Sequence, residues 1–368
     1  MSNIEILLSS LRQELHAHPE SSGKEINTRK ILCHFLHKYT TLDVQEFGGS
    51  LFAIHSSPQA TEKPIAFRAD MDAVTVKPGD VRHLCGHDGH STSLFAFALV
   101  LQRLTLNRDV VLVFQAAEED GSGARKALPF LRNLGVERIY GYHNIPQGKE
   151  GEIWLREDTF ACASQGLILH LHGAVSHAAY PENGKNPVYV LGRLIHYIEQ
   201  LNHTSSQDIS FITPVGIQGG NPSFGVACGE VSLLLTLRCA KENKLMLNKQ
   251  RLLSFLAQEC EQEGLTFDYE EVDVFPETAN RPQAFADVLT AVKAAHLSYI
   301  LLKEPMRWSE DFGVYTQDIT TCYFGIGTGT GAGLHTDEYH FNDRILLLPA
   351  KIYLRICENL GKVANDDR

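Results

Sequence analysis

Apolar side chains at Ile4, Leu7, Leu8, Leu11 and Leu15 recur at helical spacing, which predicts an amphipathic helix over residues 4–15. Pro19 punctuates that pattern, and Ile31, Leu32, Phe35 and Leu36 set the stripe of a second helix. The run "PIAFRADMDAV" then reads as a buried strand delivering Asp70 and Asp72. "STSLFAFALVLQRL" is apolar on nearly every side, as a buried helix should be. "DVVLVFQAAEED" is a β-branched strand that again ends in acids. A helix over "GARKALPFLRNLG", weakened by Pro129, and a strand at "RIYGYHN" complete the first half.

Strand and helix alternate here, so the fold class is α/β, with a mostly parallel sheet flanked by helices. In such sheets sites form outside the carboxyl ends of the strands, and Asp70, Glu118, Glu119 and His143 all fall at strand ends. One shared edge is the economical explanation. From about Ala163 the texture changes. "SQGLILHLHGAVSHAAYP", "GEVSLLLTLRC" and "TFDYEEVDV" predict strands of a smaller α+β unit, with helices near 187–201 and 247–263. The expected organisation is a catalytic domain in two parts, 1–162 and 277–368, with an inserted lid or dimerisation domain at 163–276. The last part holds a helix, the strand "TTCYFGIG", a glycine-rich loop and a terminal helix.

Composition narrows the function. The length of 368 residues suits two domains, and the content is that of a globular enzyme, 43% hydrophobic and 21% charged. A net charge of −11 excludes the basic surface that nucleic acid requires. No run of eighteen apolar residues appears, and Glu5 stands where a signal peptide would carry basic residues, so a cytoplasmic protein is expected. Eight cysteines are scattered without a C-x-x-C pair, which suits reduced thiols and removes a zinc ribbon. Seven of them read as small buried apolar residues; Cys85 differs by its neighbours.

Those neighbours form "HLCGHDGH", His83 to His90. If Cys85-Gly86-His87 is extended, thiolate and imidazole point the same way, and both are ligands for borderline transition metals. Read alone, the cluster is equally a polar loop with solvated histidines. Glu118-Glu119, following the apolar run VVLVFQAA, adds two carboxylates aimed apart. One can bind a cation while the other faces a bound water whose pKa the cation brings down toward about 7. His143 and His335 raise the set to five ligands, the number needed for two metals sharing one bridge. "GIGTGTGAG" contains a G-x-G-x-x-A match, but no βαβ unit opens from it, so a loop shaping the metal pocket fits better than a dinucleotide site.

"LRQELHAHPE", "RADMDAV", "CGHDGH", "FQAAEEDGSGA", "HGAVSHAAYPENGKNP", "SEDFGVY" and "LHTDEYHFND" occur in this order between about Leu11 and Asp343. In this the chain resembles the aminoacylase, hippurate hydrolase and indole-acetyl-amino-acid hydrolase group of two-metal amidohydrolases, relatives of carboxypeptidase-type metallopeptidases. The resemblance implies that Cys85, His87, Glu119, His143 and His335 bind two divalent ions, with Cys85 bridging. It implies Glu118 as general base, Asp70 as a carboxylate orienting ligands, and His177 as a lid histidine that reaches the partner subunit's active site and helps stabilise the oxyanion. It also implies a homodimer formed through the lid. Two departures bear on substrate. "FGVAC" places Gly225 where the group carries a lid asparagine, and the segment between Asp72 and Cys85 is shorter than usual.

The expected function is cleavage of an N-acyl amino acid or similar small amide by metal-bound hydroxide, with manganese, zinc, cobalt or nickel as the ion. A dipeptidase or a carbamoyl-amide hydrolase on the same scaffold is the alternative. A non-catalytic binding protein is disfavoured by the intact ligand set, and a Cys85 nucleophile with His87 as base leaves Glu119, His143 and His335 unexplained.

Overall fold

The computed structural model describes residues 3–202 and 209–361. Two compact units are present, one built from residues 1–160, 278–303 and 310–368, the other from 161–277 and 304–309. The short return of 304–309 to the second unit was not expected from sequence. It follows from hydrogen bonds of the Cys162 amide to Met306 O and of Arg238 Nη1 to Ser309 Oγ.

The first unit contains an eight-stranded sheet in the order Asp43–Phe47, Ser50–His55, Arg108–Gln115, Glu62–Asp70, Arg138–Ile145, Thr320–Gly327, Ile153–Leu155, Tyr299–Leu301. The four strands from Arg108–Gln115 to Thr320–Gly327 are parallel, and antiparallel pairing is confined to the flanks. Parallel strands are covered on both faces, and the Arg108–Gln115 strand is accordingly buried at seven of its eight positions. Helices Asn3–His16, Ile26–Tyr39, His87–Leu101, Pro282–Ala294 and Leu348–Leu360 feed the same core. The helix Gly123–Asn133 runs through Pro129, which lies on its exposed side, so the proline does not break it.

The second unit is a four-stranded antiparallel sheet, Ser210–Gly219, Glu230–Cys239, Ala163–His172, Thr266–Phe275, with helices Val188–Leu201 and Glu242–Glu263. Leu167, Leu169 and Leu171 alternate inward and meet Leu194, Leu252 and Leu256 in a separate core. The longer helix begins five residues before the expected 247.

All eight cysteines are free. Besides Cys85, five are buried as small apolar groups are, but Cys33 and Cys228 are only half-buried, which corrects the expectation of seven. Among the described residues no helix is long and apolar enough to cross a membrane.

Candidate metal centre

The parallel strands all deliver their carboxyl ends to one edge. Asp70 is the last residue of its strand, His143 is the third from the end of the Arg138–Ile145 strand, and Glu118-Glu119 follows Gln115 by a short turn. Cys85 and His87 do not arrive by extended alternation. Gly86 adopts φ 98°, and His87 opens the helix His87–Leu101. The left-handed turn brings thiol and imidazole together instead. A Cβ at Gly86 would lie 2.3 Å from Tyr339 Oη, so only glycine permits both the conformation and the approach.

Two triads of donors result, Cys85–His87–His143 and Cys85–Glu119–His335, each with ligand atoms within 4.8 Å of one another. Cys85 belongs to both. Donors on one ion, with bonds of about 2.0–2.3 Å, lie roughly 3.0–3.7 Å apart. Cys85 Sγ is 3.3 Å from His143 Nε2, His335 Nε2 is 3.4 Å from Glu119 Oε1, and His87 Nε2 is 3.7 Å from Glu119 Oε1. His87 Nε2 and Glu119 Oε1 are also buried atoms without a hydrogen-bond partner. Orphaned buried polar atoms are costly, and a cation is what would satisfy these. The donor set of thiol, imidazole and carboxylate suits a borderline divalent ion, so the residues fit the group.

The histidines are oriented for this. His87 Nδ1 donates to Asp72, 3.0 Å from its carbonyl and 3.1 Å from Oδ1, and His143 Nδ1 donates to Asn144 O at 2.8 Å. Each ring therefore offers Nε2 to the centre. The carboxylate expected to orient ligands, Asp70, instead bonds His90 Nδ1 at 2.6 Å and Arg68 at 2.6 Å, and its nearest approach to His87 Nε2 is 3.8 Å. The direct bond to a ligand histidine comes from Asp72, which the sequence reading placed at the strand end without a role.

Glu118 also comes close to His87 and Glu119, with ligand atoms within 4.8 Å of one another. It is buried, accepts a hydrogen bond from the Asp311 amide at 3.3 Å, and groups with Glu310 and Asp311. Burial, reinforced by Glu310 and Glu119, raises its carboxyl well above the ordinary range. Burial and the carboxylates of Glu119 and Glu118 likewise push the Cys85 thiol well up. Burial pulls His87 down, but Asp70, Asp72 and Glu119 outweigh it and raise the imidazole to about 10. His143 goes the other way, held well below its usual value by burial and by His90, so it is neutral and ready to ligate.

Below these ligands lies a network that the sequence reading missed. Arg68 is fully buried and bonds Asp70, Asp311 (2.8 Å) and Gln115 (3.0 Å), with Glu310 at 3.4 Å. The sole signal was an arginine inside an apolar strand, "AFRAD", and an acidic pair in "SEDFGVY". Glu25 is a second omission. Its buried Oε1 accepts from the Ala117 amide at 2.8 Å and so holds the φ 54° residue that precedes Glu118 and Glu119.

His335 sits at φ 62° in the loop after Thr320–Gly327, and its amide donates to Leu84 O at 2.8 Å, tying this loop to the segment before Cys85. His177 belongs to the second unit. It is exposed on the loop after Ala163–His172, pairs with Val226 in an antiparallel bridge, and is followed by Ala178, whose amide donates to Gly225 O at 2.9 Å. Gly225 thus contributes backbone there, and Phe224 beside it is fully exposed.

Residues 66–359 match the peptidase family M20/M25/M40. The chain belongs to this family. It is 24% identical over 361 residues to a hippurate hydrolase of Campylobacter jejuni, covering 94% of each chain. It is 26% identical over 343 residues to thermostable carboxypeptidase 1 of Saccharolobus solfataricus, covering 88% of this chain and 86% of that one. Its fold matches a dinuclear metal-binding M20 peptidase of Bacillus subtilis at TM-score 0.82 and 21% identity, over 97% and 98% of the two chains. The protein is therefore an M20-family hydrolase, with a mostly parallel sheet flanked by helices and a smaller antiparallel unit.

Two predictions follow from the triads. Cys85→Ala removes the shared donor, so elemental analysis should find metal content reduced from two ions per chain toward one or none. Metal binding should also release protons, because a protonated His87 and a neutral Cys85 thiol must both give up a proton to ligate. Affinity should therefore rise as pH increases toward about 10, the His87 value. Calorimetry at pH 7.5 in buffers of differing ionisation enthalpy should show net proton release.

Proposed function

We propose that this M20 hydrolase is a two-metal amidohydrolase that cleaves the amide bond of an N-acyl amino acid or a similar small amide. The observation that carries the reading is the pair of donor triads sharing Cys85, with the separate carboxyl of Glu118 buried beside them. When bound, two divalent cations would polarise the substrate carbonyl and acidify a water molecule.

The chain's own groups then have distinct tasks. Cys85, His87, Glu119, His143 and His335 hold the ions, drawn from manganese, zinc, cobalt or nickel. Glu118 is the general base. Its Oε1 is engaged by the Asp311 amide, which leaves Oε2 to take a proton from water and pass it to the departing nitrogen. A carboxyl with a raised pKa holds that proton more firmly than a solvated one, which suits the return step. Asp72 and the Asn144 carbonyl fix the imidazole orientations, and Arg68 keeps part of the surrounding negative charge compensated. His177 in the second unit would contact the developing oxyanion in a partner subunit. Val188, Tyr189, Val215 and Ile217, apolar and exposed on the Val188–Leu201 helix and the Ser210–Gly219 edge strand, support a homodimer through this unit. Eight free thiols agree with a cytoplasmic setting.

Metal-loaded protein should hydrolyse members of a panel of N-acyl amino acids, dipeptides and carbamoyl amides, with products identified by mass spectrometry. An acid plus an amino acid is the expected outcome; two amino acids or carbon dioxide would move the assignment to a dipeptidase or a carbamoyl-amide hydrolase. Glu118→Ala should retain two ions per chain and lose turnover by about 10²-fold or more, as loss of a general base does. Full activity in that variant would remove Glu118 from the role.

A further inference from the structure

His335 is the most exposed of the five donors and rides on the long loop between the Thr320–Gly327 strand and the Leu348–Leu360 helix. That loop is anchored just beyond it by Tyr339 and Phe341, both buried. The Tyr339 amide donates to Thr336 O at 3.1 Å, which closes a turn directly after His335. Both aromatic side chains sit against the first turn of the His87–Leu101 helix. A Cβ at Gly89 would lie 2.4 Å from the Phe341 ring, as one at Gly86 would lie 2.3 Å from Tyr339 Oη. The two glycines of "CGHDGH" are thus the seat for two aromatic residues of "LHTDEYHFND".

Asn144 joins this seat to the other donor triad. Its carbonyl accepts from His143 Nδ1 at 2.8 Å, and its side-chain Nδ2 donates to Tyr339 Oη at 2.8 Å. Its Oδ1 lies 2.6 Å from His90 Nε2, and its backbone amide lies 3.2 Å from the same nitrogen. His90 is held in turn through Nδ1 by Asp70, which Arg68 fixes from behind. His90 and Asn144 are fully buried. In such a chain no member can turn without leaving a buried partner unpaired, so each bond fixes the next. A plain phenyl ring would cover Gly86 without burying a hydroxyl, and burying one is costly unless it is bonded. The hydroxyl therefore specifies a position that packing alone would leave open.

We infer that Asn144 and Tyr339 are positioning residues that couple the two ion sites. The backbone that orients His143 in the Cys85–His87–His143 triad also holds, through this amide and hydroxyl, the loop on which His335 completes the Cys85–Glu119–His335 triad. The inference rests on the two-ion reading of the centre.

The test titrates metal-free protein with cobalt(II), followed by calorimetry and by the visible absorption of the bound ion. His335→Ala first identifies the binding step and the absorption that belong to the His335 site. Tyr339→Phe should weaken that step about tenfold, the effect of losing one buried hydrogen bond. It should also alter the absorption of that step and leave the other step as it was. Asn144→Ala should weaken the same step, and the double variant should be no weaker there than the worse single variant, because both remove one bond. Unchanged affinity in Tyr339→Phe, equal weakening of both steps, or additive losses in the double variant overturns the coupling. With two ions still bound by unaltered protein, any of those results leaves the two-ion reading standing. Fewer than two ions in unaltered protein overturns both.

Discussion

The structure is organised around a surplus of buried acid. Asp70, Asp72, Glu118, Glu310 and Asp311 are buried along one edge of the parallel sheet with Glu119 half-buried beside them, and Arg68 is the guanidinium buried among them. Charges removed from water are stable only when compensated. Arg68 and a protonated His87 cannot compensate six, so part of the set retains protons instead. Glu310 is pushed up to about 8 by burial, against the pull of Arg68, and Asp311 to about 6 on the same balance. Two divalent cations would add the missing positive charge at the place where Nε2 of His87 and Oε1 of Glu119 lack hydrogen-bond partners. Metal binding and the stability of this edge are then one problem with one solution.

The fold meets the geometric side of that problem with backbone turns. Strands alone would deliver donors at fixed alternation, too far apart for two shared ions. Left-handed residues at Gly86, Ala117 and His335 bend the chain where strands or loops meet the centre, and each is held by a neighbour: Tyr339 and Asn144 crowd Gly86, Glu25 accepts from Ala117, and Leu84 O accepts from His335. Non-glycine residues in this region cost about 1–3 kcal/mol each and persist where surroundings enforce them. Their concentration around one site marks where stability has been exchanged for placement.

Much of this was legible in the chain itself. Strand ends were readable because apolar β-branched runs stop abruptly at acids, as at "VVLVFQAAEED", and that located Asp70, Glu118, Glu119 and His143 on one edge. What periodicity does not carry is which polar side chain bonds which. Asp70 and Asp72 are two apart on the same strand end, and only the packed structure gives His90 to one and His87 to the other. Arg68 and Glu310 stayed hidden because their partners are distant in sequence, 242 positions in the case of their mutual contact. Local spacing also misled at Cys85-Gly86-His87, where extended backbone was expected and a helix start was found. The convergence survived because glycine supplied another route to it.

Anomalous diffraction from a manganese- or zinc-soaked crystal tests the central claim most directly. Two peaks should appear, one within bonding distance of His87 and His143, the other of Glu119 and His335, with Cys85 Sγ reached from both. A single peak, or two that leave Cys85 untouched, would contradict it.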